Sequence, residues 1–377
     1  MTREEIEQIL KRVDSRNIVL ELGTGYGKTK MALDKAVTIG REILVVVPTR
    51  ALITNWQEEI KKWYPGYISN IKLTTLRSIH KFKGVYDVVI FDEAHRITQE
   101  PASVYISNIK AKLTLYLSAT IPKDRLRLIR VMSMDKPYII SSTVKEAVES
   151  KVLPKPKVIY KKLRLMDVPG EFMFNKYQFE ATKYELQRMK FVTIKYEDLP
   201  NYKQPTPCVV ICTAYQYYGL MMKSIDRLKK LSETSSFAMN MWKKACRERL
   251  VWLSSLKTRY VNQLNREFML EGKIMYFCSS QEQALQITPH ALVSNNKNRK
   301  KDKEDFDNGT IQVSSSVNMM SEGINFNNCK TVIHLHIPSS KILQVQRLGR
   351  SLRCENPNVV YVFFGDTREE QIIKKNG

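Results

Sequence analysis

The most constraining feature of the sequence is a glycine-rich segment between a buried strand and a helix. The apolar run Ile18–Leu22 predicts the strand, and the segment after it reads Gly23-Thr24-Gly25-Tyr26-Gly27-Lys28-Thr29. Glycines let successive backbone N–H groups turn toward one point, where the helix N-terminus adds a favourable dipole. The segment predicts a phosphate-binding loop in which Lys28 neutralises phosphate and the Thr29 hydroxyl binds Mg²⁺. The strict pattern has glycine where Leu22 stands, so a plain glycine-rich turn with a chance lysine stays open.

Short apolar runs alternate with helical spacing through the rest of the first half, which is typical of a parallel α/β sheet. Three further strands are predicted there: Ile43–Val47, Val88–Phe91 and Leu113–Leu117. The last two run directly into polar segments, and an open α/β sheet binds its ligand at the carboxyl ends of its strands. One predicted helix has an apolar face that should pack on the sheet: Leu52, Trp56, Ile60 and Trp63.

The second half returns to this alternation only after a long helical stretch. The strands predicted there are Ile274–Cys278, Ile311–Val313, Val332–His336 and Val359–Phe364. The segment 151–157 has two prolines among lysines and is typical of a linker. The predicted fold class is therefore α/β, with two parallel-sheet domains and a mostly helical insertion in or before the second. We expect the first domain over 1–143, the linker and first strand of the second over 144–166, the insertion over 167–270, and the remainder over 271–377.

The insertion has an apolar stripe at helical spacing and two basic faces. The stripe consists of Leu250, Leu253, Leu256, Tyr260, Leu264 and Phe268, and an antiparallel partner is available at 220–231. The basic faces consist of Lys223, Arg227, Lys229 and Lys230, then Lys243, Lys244, Arg247 and Arg249. Two interpretations stay open: a helical hairpin that decorates the second domain, or a basic projection that holds duplex or a second strand.

An acidic tetrad follows the predicted strand Val88–Phe91 and reads Asp92-Glu93-Ala94-His95. Because parallel strands end at one edge of a sheet, its carboxylates should lie beside the glycine-rich loop. Asp92 is predicted to hold Mg²⁺, through water, and Glu93 to orient and deprotonate an attacking water. With the loop, the tetrad predicts ATP hydrolysis; without it, it would be an acidic helix cap.

A third polar cluster contains Gln346, Arg350 and Arg353. The two arginines are three residues apart, so on a helix they share a face and can reach one anion. From the far side of a cleft between the domains they would stabilise charge on the γ-phosphate. A solvated basic face, or a contact to a phosphate backbone, is the alternative.

The chain carries 61 lysines and arginines against 38 aspartates and glutamates, a net charge of +23. Such an excess implies a polyanionic partner. Neither a lipidation signal nor a basic amphipathic helix with a large apolar face is evident, so we expect nucleic acid and no membrane. The six cysteines lack metal-ligand spacing and are expected to be reduced thiols.

These clusters, in this order, resemble the motifs of the superfamily 2 helicases over most of the chain. The matching segments are 23–29, 48–52 with Trp56, 75–78, 92–95, 118–120, 274–280, 321–325 and 346–353. The resemblance implies two RecA-like domains with ATP and Mg²⁺ between them. It is closest to the DNA repair, recombination and branch-migration helicases in the segment 346–353.

The resemblance also implies roles for individual residues. Nucleotide contacts are implied for Gly23, Thr24, Gly25, Tyr26, Gly27, Lys28, Thr29, Gly323 and Asn325. Catalytic roles are implied for Glu93, Gln346, Arg350 and Arg353, and metal binding for Thr29 and Asp92. Nucleic-acid contacts are implied for Pro48, Thr49, Arg50, Thr75, Ser78 and Ser279. Coupling between nucleotide and polymer is implied for His95, Ser118 and Thr120, although the segment 118–120 could also be a plain helix cap.

The function expected from these observations is ATP-driven movement on, or remodelling of, single-stranded or branched DNA. An RNA helicase is the alternative within the family, and an ATP-gated nucleic-acid clamp that does not unwind is the alternative outside it. We expect a monomer in the cytoplasm, or the host cytoplasm of a phage, with replication or recombination proteins as candidate partners.

Overall fold

The computed structural model describes residues 1–23, 25–173, 193–197, 206–317, 328–337 and 354–376. These residues form a six-stranded sheet, a three-stranded sheet and a five-stranded sheet. We call the six-stranded sheet with its helices the first lobe, and the five-stranded sheet with its helices the second lobe.

The first lobe is built on a parallel sheet with the strand order β3-β2-β4-β5-β1-β6. Its strands are β1 (Asn17–Leu22), β2 (Ile43–Val47), β3 (Ile71–Thr75), β4 (Gly84–Phe91), β5 (Ile109–Ser118) and β6 (Tyr138–Ser142). The four central strands confirm the predicted apolar runs, which are buried on both faces. The sequence did not indicate β3 and β6, because these edge strands are half exposed and lack a continuous apolar run.

Helices cover both faces of this sheet and produce two apolar layers. They are α1 (Arg3–Arg12), α2 (Lys28–Ile39), α3 (Arg50–Trp63), α4 (Gln99–Asn108), α5 (Lys123–Ser133) and α6 (Val144–Glu149). On α3, Leu52, Trp56 and Ile60 are buried as predicted, whereas Trp63 is 41% exposed. The ammonium groups of Lys30 and Lys62 lie 5.1 and 4.7 Å from the centroid of the Trp63 ring. The buried apolar stripe of α3 therefore ends at Ile60, about one turn before the end of the helix.

The second lobe is built on a parallel sheet with the strand order β12-β11-β13-β14-β7. Its strands are β7 (Lys157–Leu163), β11 (Ile274–Phe277), β12 (Val313–Ser316), β13 (Thr331–His334) and β14 (Asn358–Phe364). The predicted strand Ile311–Val313 begins two residues too early, because the real strand contains three buried serines. The hydroxyls of Ser314, Ser315 and Ser316 donate to backbone carbonyls, which is how polar side chains are tolerated there.

Between the lobes in sequence lies a segment with both helices and strands. Its helices are α7 (Ala214–Leu231), α8 (Ser236–Ser255) and α9 (Val261–Phe268), and α7 packs against α8 as predicted. Its antiparallel sheet has the order β8-β10-β9, formed by β8 (Pro169–Met173), β9 (Thr193–Glu197) and β10 (Thr206–Thr213). The helices confirm the predicted helical segment, and the structure adds a three-stranded sheet that the sequence did not indicate.

The predicted apolar stripe does not lie on one helix. Leu253 packs with α7 and β10, whereas Leu264 and Phe268 of α9 pack on the second lobe's sheet. The junction is fixed by Lys257, which is fully buried and donates to Glu369 of α12 (Arg368–Asn376) at 2.6 Å. The end of α8 and all of α9 are thus part of the second lobe and do not project from it.

Arg249 does not belong to the basic face that was predicted for this segment. It is only 8% exposed, and its guanidinium lies 3.4 Å from the sulfur of Met222 on α7. Its long apolar stem packs between the two helices, as arginine stems commonly do.

Two shorter helices, α10 (Gln281–Ile287) and α11 (Arg299–Asn308), complete the described part of the second lobe. Within the described residues, no helix combines the length and the apolar content that crossing a membrane requires.

Candidate nucleotide site and polymer groove

The predicted phosphate loop leaves the sheet between β1 and α2. Gly25 and Gly27 have φ values of 104° and 79°, a region that side chains rarely adopt. A Cβ atom at Gly25 would lie 2.7 Å from Cδ2 of Leu153, so the loop needs glycine there for space as well. Gly27 is the N-cap of α2, which aims the N-terminus of that helix at the loop.

Lys28 lies at the first position of α2 and folds back over the loop. Its ammonium group donates to the carbonyl of Leu22 at 2.7 Å and to that of Gly23 at 3.2 Å. Thr29 follows it and is partly exposed. Both side chains thus lie at the helix N-terminus, where the sequence predicted a phosphate and its metal ion; Thr24 lies outside the described residues.

The side chain of Tyr26 has a structural role in the loop. Its side chain is fully buried, and its hydroxyl lies 2.6 Å from Oγ of Ser142 and donates to the carbonyl of Met1 at 3.2 Å. The ring therefore anchors the loop to the strand β6, and the predicted nucleotide contact of Tyr26 is left to its backbone N–H.

Asp92 begins the acidic tetrad at the end of β4. Its Oδ2 accepts a hydrogen bond from the indole N–H of Trp56 at 2.9 Å, and its Oδ1 accepts one from the backbone N–H of Glu93 at 2.9 Å. Burial and then the charge of Glu93 raise the pKa of Asp92 to about 6, whereas Trp56 and the charge of Lys28 lower it. The site therefore contains a half-buried carboxylate whose negative charge is incompletely stabilised by the protein.

Glu93 has a left-handed backbone conformation, with a φ of 47°. Such a conformation costs roughly 1–3 kcal/mol in a residue other than glycine and is concentrated at functional sites. It turns the chain sharply after β4, so that Oε2 of Glu93 lies 3.4 Å from Nδ1 of His95.

His95 connects the tetrad with the segment that follows β5. Its Nδ1 lies 3.0 Å from Oγ of Ser118, which in turn donates to the carbonyl of Thr120 at 2.9 Å. Burial, followed by the charge of Arg96, lowers the pKa of His95 to about 4, so the ring is neutral at neutral pH. The three residues predicted to couple nucleotide and polymer are thus in contact with one another.

The sheet order explains why these segments meet. The strand β5 lies between β4 and β1, so its carboxyl end separates the acidic tetrad from the phosphate loop. Glu21 of β1 pairs in register with Ser118, and its Oε1 accepts a hydrogen bond from the N–H of Ile121 at 2.7 Å. The sequence patterns missed Glu21, because an acidic residue inside an apolar strand gives no signal of its partner.

A groove of about 960 Å³ opens beside the tetrad. All five nucleic-acid contacts predicted in the first lobe line it: Pro48, Thr49, Arg50, Thr75 and Ser78. Although they come from two distant segments, β2 and β3 are neighbours in the sheet and bring them together. Further basic residues that the sequence reasoning missed also line it: Arg77, His80 and Arg96. We call this lining the polymer groove.

The remaining predicted site residues lie elsewhere or outside the described residues. Ser279 follows β11, and its N–H and hydroxyl both donate to Oε1 of Gln283, so they order the start of α10. Those outside the described residues are Gly323, Asn325, Gln346, Arg350 and Arg353.

Three protein families match parts of the chain. The DEAD/DEAH box helicase family matches residues 2–84, and the family "Type III restriction enzyme, res subunit" matches residues 67–123. The helicase conserved C-terminal domain matches residues 256–355. Together these ranges contain the phosphate loop, the acidic tetrad, the polymer groove and the arginine cluster.

Individual relatives match along most of the chain. The DNA 3'-5' translocase XPB2 of Sulfurisphaera tokodaii is 24% identical over 377 residues, which is 93% of this chain and 77% of the relative. The uncharacterized ATP-dependent helicase YqhH of Bacillus subtilis is 22% identical, covering 98% of this chain and 76% of the relative. The solved structure of the Pyrococcus furiosus Hef helicase domain is 15% identical and covers 99% of this chain and 97% of its own, with a TM-score of 0.54. The last likeness shows the shared fold of two RecA-like domains.

Proposed function

Because the chain belongs to the superfamily 2 DEAD/DEAH-box helicases and is an ATP-dependent helicase or translocase, we propose that DNA is the polymer on which it acts. The observation that carries the proposal is the polymer groove, in which two separate segments bring Thr49, Arg50, Thr75 and Ser78 together beside the tetrad. Hydroxyls and basic side chains supply most protein contacts to phosphate and sugar oxygens, so a groove lined by them suits a polymer backbone.

The phosphates of ATP bind at the loop between β1 and α2. The backbone N–H groups of 25–27 contact them, and Lys28 neutralises the β- and γ-phosphates once its ammonium turns away from the carbonyls of Leu22 and Gly23. Exchanging two carbonyl acceptors for charged oxygens gives stronger hydrogen bonds.

The donor set at this loop fits Mg²⁺. The carboxylate of Asp92 and the hydroxyl of Thr29 are hard oxygen ligands, and the raised pKa of Asp92 indicates a negative charge that a cation would stabilise. When bound, the ion supplies positive charge that neutralises the phosphates. Trp56 holds Oδ2 of Asp92 and the N–H of Glu93 holds Oδ1, so the carboxylate is fixed in place before the ion binds.

Glu93 orients the attacking water and accepts its proton. His95 lies within 3.4 Å of the Glu93 carboxylate and is neutral at neutral pH, so it does not hold that carboxylate as a fixed ion pair. From the second lobe, Arg350 and Arg353 act as arginine fingers on the γ-phosphate, with Gln346, Gly323 and Asn325 completing the nucleotide contacts.

DNA rather than RNA is favoured by the relative that is named a DNA translocase, and by the resemblance of the segment 346–353 to DNA repair and recombination helicases. Alternating grip by the two lobes, as ATP binds and is hydrolysed, moves the protein along one strand. Because the groove offers phosphate contacts, binding depends little on base sequence. The protein acts as a monomer on single-stranded or branched DNA.

The test is the ATPase rate measured with single-stranded DNA, duplex, forked DNA and RNA. Stimulation by DNA with little dependence on base sequence supports the proposal, and a log–log salt slope near −0.7 per neutralised phosphate is expected for single strands. Preferential stimulation by RNA would show that the polymer is wrong. Stimulation by DNA without displacement of a triplex strand would instead favour an ATP-gated clamp.

A further inference from the structure

The short 3-10 helix Ala94–Arg96 carries side chains that belong to two different sites. His95 is 11% exposed at its side chain and contacts Ser118 and Glu93. Arg96, the next residue, is exposed and lines the polymer groove. In a 3-10 helix successive side chains point about 120° apart, so neighbours can face different sites while their backbone moves as one unit.

The backbone of this helix is closed by its own hydrogen bonds and anchored to α5 at its C-terminal end. The N–H of Arg96 donates to the carbonyl of Glu93 at 2.8 Å, and the N–H of Ile97 donates to that of Ala94 at 3.1 Å. Ile97 is buried, and its carbonyl accepts a hydrogen bond from the guanidinium of Arg125 at 3.0 Å. A displacement of Arg96 is therefore transmitted to Glu93 and His95 rather than absorbed by a loose loop.

Arg125 extends the connection to the phosphate loop. It lies in the first turn of α5, which begins three residues after Thr120. The N–H of Ile121 in the intervening turn donates to Glu21, and Glu21 precedes Gly23 by two residues in the chain. Hydrogen bonds and short chain segments thus run from the groove to both the acidic tetrad and the phosphate loop.

We propose that Arg96 is the residue through which a strand in the polymer groove stimulates ATP hydrolysis. It binds a backbone phosphate of that strand and thereby fixes the 3-10 helix in the position that aligns Glu93 and His95. This makes Arg96 a positioning residue for hydrolysis, and the inference rests on the proposed function because it needs a nucleic-acid strand in the groove.

Arg77 provides the matched comparison within the same groove. It is also exposed and lines the groove, but it lies on the 3-10 helix Leu76–Lys81 rather than on the segment that carries His95. Both arginines can neutralise a phosphate, so both should contribute to affinity. Only Arg96 should contribute to the rate once the polymer is saturating.

The experiment measures ATP hydrolysis against single-stranded DNA concentration for wild type, Arg96→Ala, Arg96→Lys and Arg77→Ala. The control for surface charge is Arg130→Ala, because Arg130 is an exposed residue of α5 that does not line the groove. Arg96→Ala should lower the stimulated maximal rate by about fivefold or more, the usual lower range of coupling between sites. Arg77→Ala should raise the half-saturating DNA concentration and keep the wild-type maximum, and Arg96→Lys should recover most of the stimulation because it retains the charge.

A second measurement tests the route through Arg125. If both residues act through the same helix, Arg125→Ala should also lower the maximal rate, and the double variant with Arg96→Ala should be little worse than either single variant. Fully multiplicative losses would overturn the shared route.

The outcomes separate this inference from the proposed function. If Arg96→Ala changes only the half-saturating concentration, as Arg77→Ala does, Arg96 is a simple phosphate contact and the inference is wrong. If RNA stimulates and DNA does not, the proposed polymer is wrong, and the same comparison with RNA still decides the role of Arg96. If neither polymer stimulates wild type, both proposals are wrong.

Discussion

The two lobes differ in what surrounds a charged side chain. In the first lobe, Asp92 is half-buried beside Glu93, and its pKa is raised to about 6 because burial and the charge of Glu93 outweigh the stabilisation by Trp56 and Lys28. In the second lobe, Lys257 and Glu369 are 0% and 1% exposed and lie 2.6 Å apart. Lys257 also donates to the carbonyl of Leu335, and Glu369 accepts from the N–H of Phe364.

The difference indicates what each charge is for. A fully buried charge beside an opposite charge is costly to disturb and fixes the packing of its surroundings, although burial lowers the pKa of Lys257 as well. A carboxylate whose charge is incompletely stabilised favours a bound cation, and the neighbouring loop indicates the metal ion of a nucleotide. Removing these charges should therefore reduce the rate of ATP hydrolysis in the first lobe and the free energy of unfolding in the second.

The largest expected effect is on chemistry in the first lobe. Glu93→Gln removes the group that accepts a proton from water and should slow single-turnover ATP hydrolysis by about 10²–10⁴-fold. ATP binding should remain, since the amide keeps the shape of the side chain and relieves repulsion with Asp92. Hydrolysis near the wild-type rate would contradict the assignment of Glu93, whereas loss of ATP binding would show that it acts on the ground state.

The next effect is on stability in the second lobe. Lys257→Met leaves Glu369 buried without its partner and should lower the free energy of unfolding by about 3–5 kcal/mol, measured by urea denaturation. Lys161→Met is the matched control, because its ion pair with Glu267 is equally short at 2.6 Å but 36% and 39% exposed. That pair should be worth about 1 kcal/mol or less.

A double variant distinguishes pairing from packing at this position. Lys257→Met combined with Glu369→Leu removes both charges and should recover most of the stability that Lys257→Met loses. Equal losses for Lys257→Met and Lys161→Met would remove the proposed contrast between the lobes.

The sequence predicted the part of each lobe that depends on local pattern. The central strands are continuous apolar runs, and the phosphate loop, tetrad and groove residues follow such strands, so their meeting at one sheet edge could be inferred. The strand Val313–Ser316 was misplaced because its serines are satisfied by carbonyls of distant residues. Likewise, the contact of Trp56 with Asp92 joins residues 36 positions apart and has no local pattern.

Stability should also depend on pH through Asp92, with a defined sign. Its folded pKa, about 6, lies above the ordinary value of 3.8, so the fold favours the protonated form. The stabilisation is present below about pH 4 and is lost as the pH rises through 6, a change on the order of 2–3 kcal/mol at roughly 1.4 kcal/mol per pKa unit. Asp92→Asn should remove this loss.

The measurement is unfolding in EDTA-containing buffer between pH 4 and 7.5. Relative to wild type, the Asp92→Asn protein should become progressively more stable as the pH rises, although it should not hydrolyse ATP. His95 contributes little to the difference above pH 5, because its pKa is about 4 and removal of the Asp92 charge lowers it further, so the ring is neutral in both folded proteins. If the difference in unfolding free energy between the two proteins does not change with pH, the pKa of Asp92 is not raised in the folded protein.

The smallest effect expected is at Trp56, the residue that links α3 to the tetrad. Trp56→Phe keeps a buried ring on the sheet but removes the N–H that donates to Oδ2 of Asp92 at 2.9 Å. Loss of this donor raises the pKa of Asp92 further and frees its carboxylate to rotate. We expect the Mg²⁺ concentration for half-maximal ATPase to rise about fivefold, since a net hydrogen bond is worth about 1 kcal/mol.

Trp63→Phe is the matched control, because the Trp63 N–H donates to Glu59 on the exposed end of the same helix. If both variants need the same Mg²⁺ concentration as wild type, Trp56 is a packing residue, and the incomplete stabilisation of Asp92 does not depend on α3.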